Sequence, residues 1–283
     1  MEKRIIVRGL LVGLLGGVLA FAFARIFAEP VIQRAIDYES GRDEAQVAID
    51  AAAGHPDMDM GPELFTRAVQ SNVGIGFGIV FFGIAMGLIF AVVYCVAVGR
   101  VGNVSPRNLA LLVAGGLFLG MYLVPFLKYP ANPPAVGHEE TIKDRTALYL
   151  TMVVCSLVFL LGAVWLGKKL SARFGNWTAT LLAAGAFIVA IGIVMVLLPS
   201  LGHLSTNVDE YGMQTTETPQ PLTDPSGKLV YPGFPADDLY FFRLYSVGAQ
   251  LILWTTIALC FAPMASRLFG STSESSGVLV DSK

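Results

Sequence analysis

Residues 178–198 read TATLLAAGAFIVAIGIVMVLL, a run without a charged side chain. A helix needs about 20 apolar residues to cross the hydrocarbon core of a bilayer, and this run has that length. Lys168, Lys169 and Arg173 precede it; Pro199 follows it, and the next acids are Asp209 and Glu210. Basic residues before and acids after mark a helix that leaves the cytoplasm. The pattern repeats along the chain. Apolar stretches of spanning length occupy about 5–28, 73–98, 109–127, 146–166, 178–198 and 244–264. Composition agrees with them. Of 283 residues, 54% are hydrophobic and 14% charged, against roughly 25% charged in an average soluble domain. The mean hydropathy is +0.65. One soluble core could not hide this much apolar chain, and a disordered chain is poor in apolar residues. A net charge of -2 with no basic run argues against a nucleic-acid partner. The expected fold class is an all-α membrane protein.

The charges orient the spans. Lys3, Arg4 and Arg8 precede the first; Arg100 and Arg107 lie between the second and third; Lys168, Lys169 and Arg173 lie between the fourth and fifth. The alternate connections are acidic. Eighteen of the 21 Asp and Glu residues fall in 29–72, 128–145 and 199–243, against eight Lys and Arg. The expectation is a single polytopic membrane domain over 1–283 with six transmembrane helices and both termini cytoplasmic. Residues 29–72 and 199–243 form two long outer loops, 128–145 a shorter one, and 265–283 a cytoplasmic tail. The last outer loop, with Pro219, Pro221, Pro225, Pro232 and Pro235, is expected to lack regular structure, while Asp43–Ala53 suits a short surface helix. The first run also has the layout of a signal peptide, ending in Ala22-Phe23-Ala24. It is long for a signal core, so a retained helix is expected; cleavage would leave five spans in the same orientation.

Glycines recur at four-residue spacing, which sets them on one helix face and lets backbones approach. They are Gly9, Gly13 and Gly17, then Gly74 and Gly78, Gly83 and Gly87, and Gly116 and Gly120. This predicts a tight bundle and is compatible with a homo-oligomer. Cys95, Cys155 and Cys260 fall in separate apolar stretches and read as small buried residues.

All three histidines fall on the outer side. His55 opens His-Pro-Asp-Met-Asp-Met with Asp57 and Asp59, His138 precedes Glu139 and Glu140, and His203 follows the fifth span. Imidazole and carboxylate suit borderline divalent ions such as cobalt, nickel and zinc, so these loops are candidates for one metal site; histidines avoiding hydrocarbon would land there as well. Polar groups at the ends of spans are costly and mark function by default. Arg25 and Glu29 are four apart and suited to pairing across a helical turn. Arg67 and Gln70 stand before the second span, and Arg243 and Gln250 in the last. Glu29, Gln70, Asn132 and Gln250 are the candidates for a transport path; Arg25, Arg67, Lys128 and Arg243 read as structural or snorkelling cations.

No chemistry of bond making is legible. Gly162–Lys169 resembles a P-loop but lacks its Ser or Thr and ends an apolar helix. Triplets of the glycosylation type at Asn103 and Asn176 lie on the cytoplasmic side. No HExxH or GxSxG occurs. Neither an enzyme nor a tightly bound cofactor is expected.

The third span ends Leu-Val-Pro125-Phe-Leu-Lys128-Tyr129-Pro130-Ala-Asn132-Pro133-Pro134-Ala-Val-Gly137-His138. Pro130, Pro133 and Pro134 make a stiff extended segment that cannot rejoin a helix, and such backbone at a membrane surface suits an entrance. With Thr141-Ile142 and Asp144-Arg145-Thr146 after it, this segment resembles the signature of the CbtA family of probable cobalt transporter subunits. Glu29-Pro30, Phe65-Thr66-Arg67 with Gln70, Gly99-Arg100, Leu198-Pro199, and Phe242-Arg243 through Gln250 to Trp254 extend the likeness over nearly the whole chain. The resemblance implies uptake of cobalt(II) linked to cobalamin synthesis, in a bacterial cytoplasmic membrane. It also implies a CbtB-like partner with a single span and a histidine-rich end. The rival class is a membrane scaffold whose outer loops bind a partner without transport.

Overall fold

A computed structural model describes residues 2–54, 74–102 and 104–277. The described residues are mostly helical. Among the described residues, five helices are long and apolar enough to cross a membrane: Glu2–Ala52, Ile75–Ala97, Pro106–Lys128, Ile142–His203 and Ala236–Phe269. The chain divides into two compact units: Met1–Phe27, Leu64–Leu119 and Ser246–Lys283 form one, Ala28–Glu63 and Gly120–Tyr245 the other.

In the first unit, α1 (Glu2–Phe23) and α3 (Ile75–Ala97) pack antiparallel along the expected glycine faces. A Cβ added to Gly9 would stand 2.5 Å from the Ala91 Cβ, one on Gly13 2.8 Å from the Gly87 Cα, and one on Gly83 2.6 Å from the Gly17 Cα. The two backbones are therefore in contact, and dispersion plus weak Cα–H···O bonds hold them. Toward the carboxyl end of α3, Phe90 and Tyr94 are fully buried and meet the ring of Phe261 edge-on, at 4.9 and 5.1 Å. Phe261 belongs to α8 (Ala236–Gly277). The Tyr94 hydroxyl donates to the Pro106 carbonyl at 3.0 Å and so ties α3 to α4 (Pro106–Leu117). Ser105 caps α4, accepting from the Asn108 N–H, and Pro106 sits at the first helical position, where its missing N–H costs nothing. The three cysteines are half-buried.

In the second unit, α2 (Glu29–Ala52) is helical where the sequence reading placed mostly loop. It follows α1 through a π-helical turn, Ala24–Ala28. Two features carry the helix onward. Pro30 falls in its first turn, where proline is tolerated, and Gln33 with Asp37 and Gln46 with Asp50 bond across single turns at 2.8 and 3.0 Å. A second π-helical turn, Phe118–Leu123, precedes α5 (Val124–Lys128). Both π segments fall where the chain passes from one unit to the other. The π turn at Ala24–Ala28 also alters the four-residue spacing that a straight α-helix would give Arg25 and Glu29.

The longest helix, α6 (Ile142–Leu197), contains two of the six apolar runs. Gly175, with φ 73° and ψ 165°, breaks it. Gly167 and Ala183 would be about 24 Å apart on a straight helix, yet a Cβ on Gly167 would lie 3.4 Å from the Ala183 Cβ. The chain therefore doubles back at Gly175, and residues 142–174 and 176–197 are the arms of a helical hairpin.

The proline-rich stretch after the hairpin is more ordered than expected. It holds α7 (Ser205–Tyr211) and a two-stranded ribbon, β1 (Leu222–Thr223) with β2 (Leu229–Tyr231). The turn is Asp224-Pro-Ser-Gly227. Asp224 Oδ1 accepts from the Ser226 hydroxyl and from the N–H groups of Lys228 and Ser226, which holds its carboxyl below the usual range, and Gly227 supplies φ 81°. This ribbon seats α2: Ala35 and Tyr38 pack with Val136 and Phe234, against Tyr231 and Leu239. Tyr38 donates to the Pro232 carbonyl at 2.9 Å, and Arg34 pairs with Asp238 at 2.7 Å.

Candidate functional site

Three prolines in 129–138 remove three backbone donors, so the segment cannot fasten itself by a ladder. Side chains from other elements hold it. The Tyr129 hydroxyl donates to the Pro199 carbonyl at 2.8 Å; burial raises this phenol above its ordinary value, so it stays a donor. Arg243 of α8 donates through Nη2 to Asn132 Oδ1 at 2.8 Å and through Nε to the Ala131 carbonyl at 3.3 Å. Arg145, in the first turn of α6, donates through Nη2 to the His138 carbonyl at 3.0 Å. Pro133 is buried and Pro130 and Pro134 half-buried along this loop. Tyr129→Phe is expected to cost about 1 kcal/mol, the worth of one hydrogen bond, read as a lower melting temperature of the purified protein.

Beneath the loop lies Glu217, its side chain fully buried. Oε1 accepts from Asn207 Nδ2 at 2.9 Å and from the Thr141 hydroxyl at 3.0 Å. That hydroxyl is also 2.9 Å from the His138 carbonyl, so one proton is shared between two acceptors. Oε2 faces Arg145 Nη1 at 3.6 Å, beyond hydrogen-bond reach, and makes no hydrogen bond among the described residues. Gly137 closes the arrangement. Its φ is 101°, and a Cβ there would meet the Arg145 guanidinium and stand 2.9 Å from Glu217 Oε2. Both the dihedral and the space demand glycine.

Glu217 lines a cavity of about 260 Å³ together with Lys128, Asn132, Thr216 and Arg243. Its charges are unequal. Two cationic residues, Lys128 and Arg243, and one acidic residue line it, and the Glu217 carboxylate is fully buried with Arg145 beside it. A bare divalent ion gains little here, because like charge at short range in a low dielectric is costly. The pocket suits a selectivity element or a rigid mount for the loop better than a resting place for a metal.

The other residues singled out from the sequence are dispersed. Glu29 is buried at the start of α2. Arg25 is exposed within the first π turn, and Gln250 is half-buried in α8. His203 ends a short 3-10 turn, exposed, and His138 is half-buried at the end of the proline loop. Glu139 opens the 3-10 turn Glu139–Thr141. His55, Asp57, Asp59, Arg67 and Gln70 lie outside the described residues. Among the described residues no three His, Cys, Asp or Glu side chains stand together as a metal site. Sequence reasoning missed Glu217 and Asn207 altogether. Thr141 and Arg145 were visible within the third-loop motif, without a role.

The family model described as probable cobalt transporter subunit (CbtA) matches residues 2–266. No curated protein and no solved structure matches the chain.

Proposed function

The chain belongs to the CbtA family of probable cobalt transporter subunits, and from that premise we propose that it is the membrane subunit of a cobalt uptake system. The single observation that carries the reading is the family match over nearly the whole chain. Five long apolar helices among the described residues support it. The reading includes six crossings, since the hairpin at Gly175 divides the fourth helix in two, with both termini in the cytoplasm of a bacterial inner membrane. Lys168, Lys169 and Arg173 before that bend fit a cytoplasmic turn.

In this reading the acidic outer face concentrates the cation before capture. His138 with Glu139, and His55 with Asp57 and Asp59, are the capturing residues, with His203 at the same face. The ion then passes Glu29 and the loop that carries Asn132. Lys128 and Arg243, in the lining of the same cavity as Glu217, select against ions that arrive without ligands from the capturing loops. A single-span, histidine-rich partner of the CbtB kind supplies further ligands. The test is radio-cobalt uptake in cells lacking their own importers, with nickel and zinc as competitors. Saturable uptake that falls at least several-fold in His138→Ala or Glu29→Gln is expected. Uptake unchanged in both variants sinks the capture scheme while leaving transport intact.

A further inference from the structure

Between Asp144 and Asp209 the chain has no acid, yet Lys168, Lys169 and Arg173 fall together there, just before the bend at Gly175. Two of the three are laid back on their own helix. Lys169 Nζ is 5.2 Å from the Trp165 ring centroid, and the Arg173 guanidinium 5.2 Å from that of Phe174. Lys168 instead lines a cavity of about 380 Å³ in the seam between the arms of the hairpin. Near the bend this seam presents Lys168, Ser171, Asn176 and Thr180; farther along the arms it is lined by Gly167, Ala183 and their small apolar neighbours. The Ser171 hydroxyl donates to the Lys168 carbonyl and the Thr180 hydroxyl to the Asn176 carbonyl, each at 2.8 Å. The donors not spent in this way are the Lys168 ammonium and the Asn176 amide.

We propose that the seam binds an anionic phospholipid, its phosphate on Lys168 and Asn176 and one acyl chain along Gly167 and Ala183. The lining changes from polar to apolar along the arms, as a lipid does from headgroup to tail. Eight residues of helix separate Ser171 from Ala163 at its apolar end, about 12 Å, a depth that reaches from headgroup into acyl chain. Trp177, two residues past the bend, is 76% exposed. Tryptophan concentrates at membrane–water interfaces, which puts this level among the headgroups. A zwitterionic lipid fills the slot but leaves the ammonium without a net anion, and a soluble phosphate lacks the tail. One cation near an anionic lipid is worth about fivefold in affinity.

Native mass spectrometry of the full chain in detergent tests this. The probes are phosphatidylglycerol, phosphatidylcholine with the same acyl chains, and glycerol 3-phosphate. Phosphatidylglycerol is expected to bind about fivefold or more tightly than phosphatidylcholine, and glycerol 3-phosphate not measurably. Lys168→Gln should erase the preference, and Lys169→Gln with Arg173→Gln should leave it. Lys168 is exposed, so its replacement does not threaten the fold. Equal binding of the two lipids overturns the proposal. So does a preference that survives Lys168→Gln, or glycerol 3-phosphate binding as tightly as the lipid.

Discussion

Gly87→Leu should leave no folded protein to purify from the membrane, whereas Gly185→Leu should purify as the parent does. Both glycines lie in apolar helices, so composition does not distinguish them. Their surroundings do. A Cβ on Gly87 would collide with the Gly9 carbonyl oxygen and stand 2.7 Å from the Gly13 Cα, atoms of a backbone that cannot rotate away. A Cβ on Gly185 meets nothing within 4 Å. Inserting bulk into a packed core costs typically about 1–3 kcal/mol where side chains can yield. Here only the separation of α1 from α3 makes room, which forfeits the whole contact. The observable is the monodisperse fraction of detergent-extracted protein and its melting temperature. A Gly87→Leu protein as stable as the Gly185→Leu protein would show that α1 and α3 do not meet along these glycines.

Glu217→Ala should cost about 3–5 kcal/mol, the range for removing one partner of a buried ion pair. The substitution leaves Arg145 beside an empty space, half of Asn207's donors unused and the Thr141 proton with a single acceptor. Because Arg145 and Thr141 both also reach the His138 carbonyl, the proline loop should loosen with the carboxylate gone. Glu217→Gln should cost less, since an amide keeps one acceptor for Asn207 and Thr141, although its NH2 replaces the oxygen that faced Arg145. The measurements are chemical denaturation in detergent and hydrogen exchange across 129–141. An Ala variant within about 0.5 kcal/mol of the parent, the range of ordinary surface substitutions, would show that the cluster does not hold the loop.

The helices were legible because spanning length is a property of one segment at a time. The run 178–198 and its basic prelude suffice to place a helix and to suggest a turn before it. They do not indicate that Gly175 is the residue at which two helices meet end to end. The length of α2 was hidden by its charge: Glu, Asp and Arg along 29–50 read as a solvated loop, and the Gln–Asp pairs that support a helix there are ordinary in either state. The glycine faces at Gly9, Gly13 and Gly17 and at Gly83 and Gly87 were legible as faces, but their pairing was not, since four-residue spacing says that a helix approaches and not which one; a Cβ on Gly78, in the same spacing, meets nothing within 4 Å.

The site was less legible than the fold. Glu217 sits in Thr-Thr-Glu-Thr-Pro, an unremarked acid among six in its loop. What sets it apart is burial against Thr141, Arg145 and Asn207, residues 76, 72 and 10 positions away. No local pattern records such a meeting. The histidines drew notice because imidazole binds metals, yet among the described residues they do not gather with acids into a metal group. Residue type suggested chemistry there, while the geometry points to the fastening of the proline loop.

Cobalt flux through the purified protein tests the central claim most directly. The chain would be reconstituted into liposomes, alone and with a single-span histidine-rich partner, around a trapped dye that cobalt(II) quenches. Saturable quenching in at least one arrangement, blocked by competing divalent metal and absent from protein-free liposomes, is the predicted result. Folded protein in the bilayer with no quenching beyond the protein-free rate in either arrangement would contradict transport and favour a scaffold that binds its partner without moving an ion.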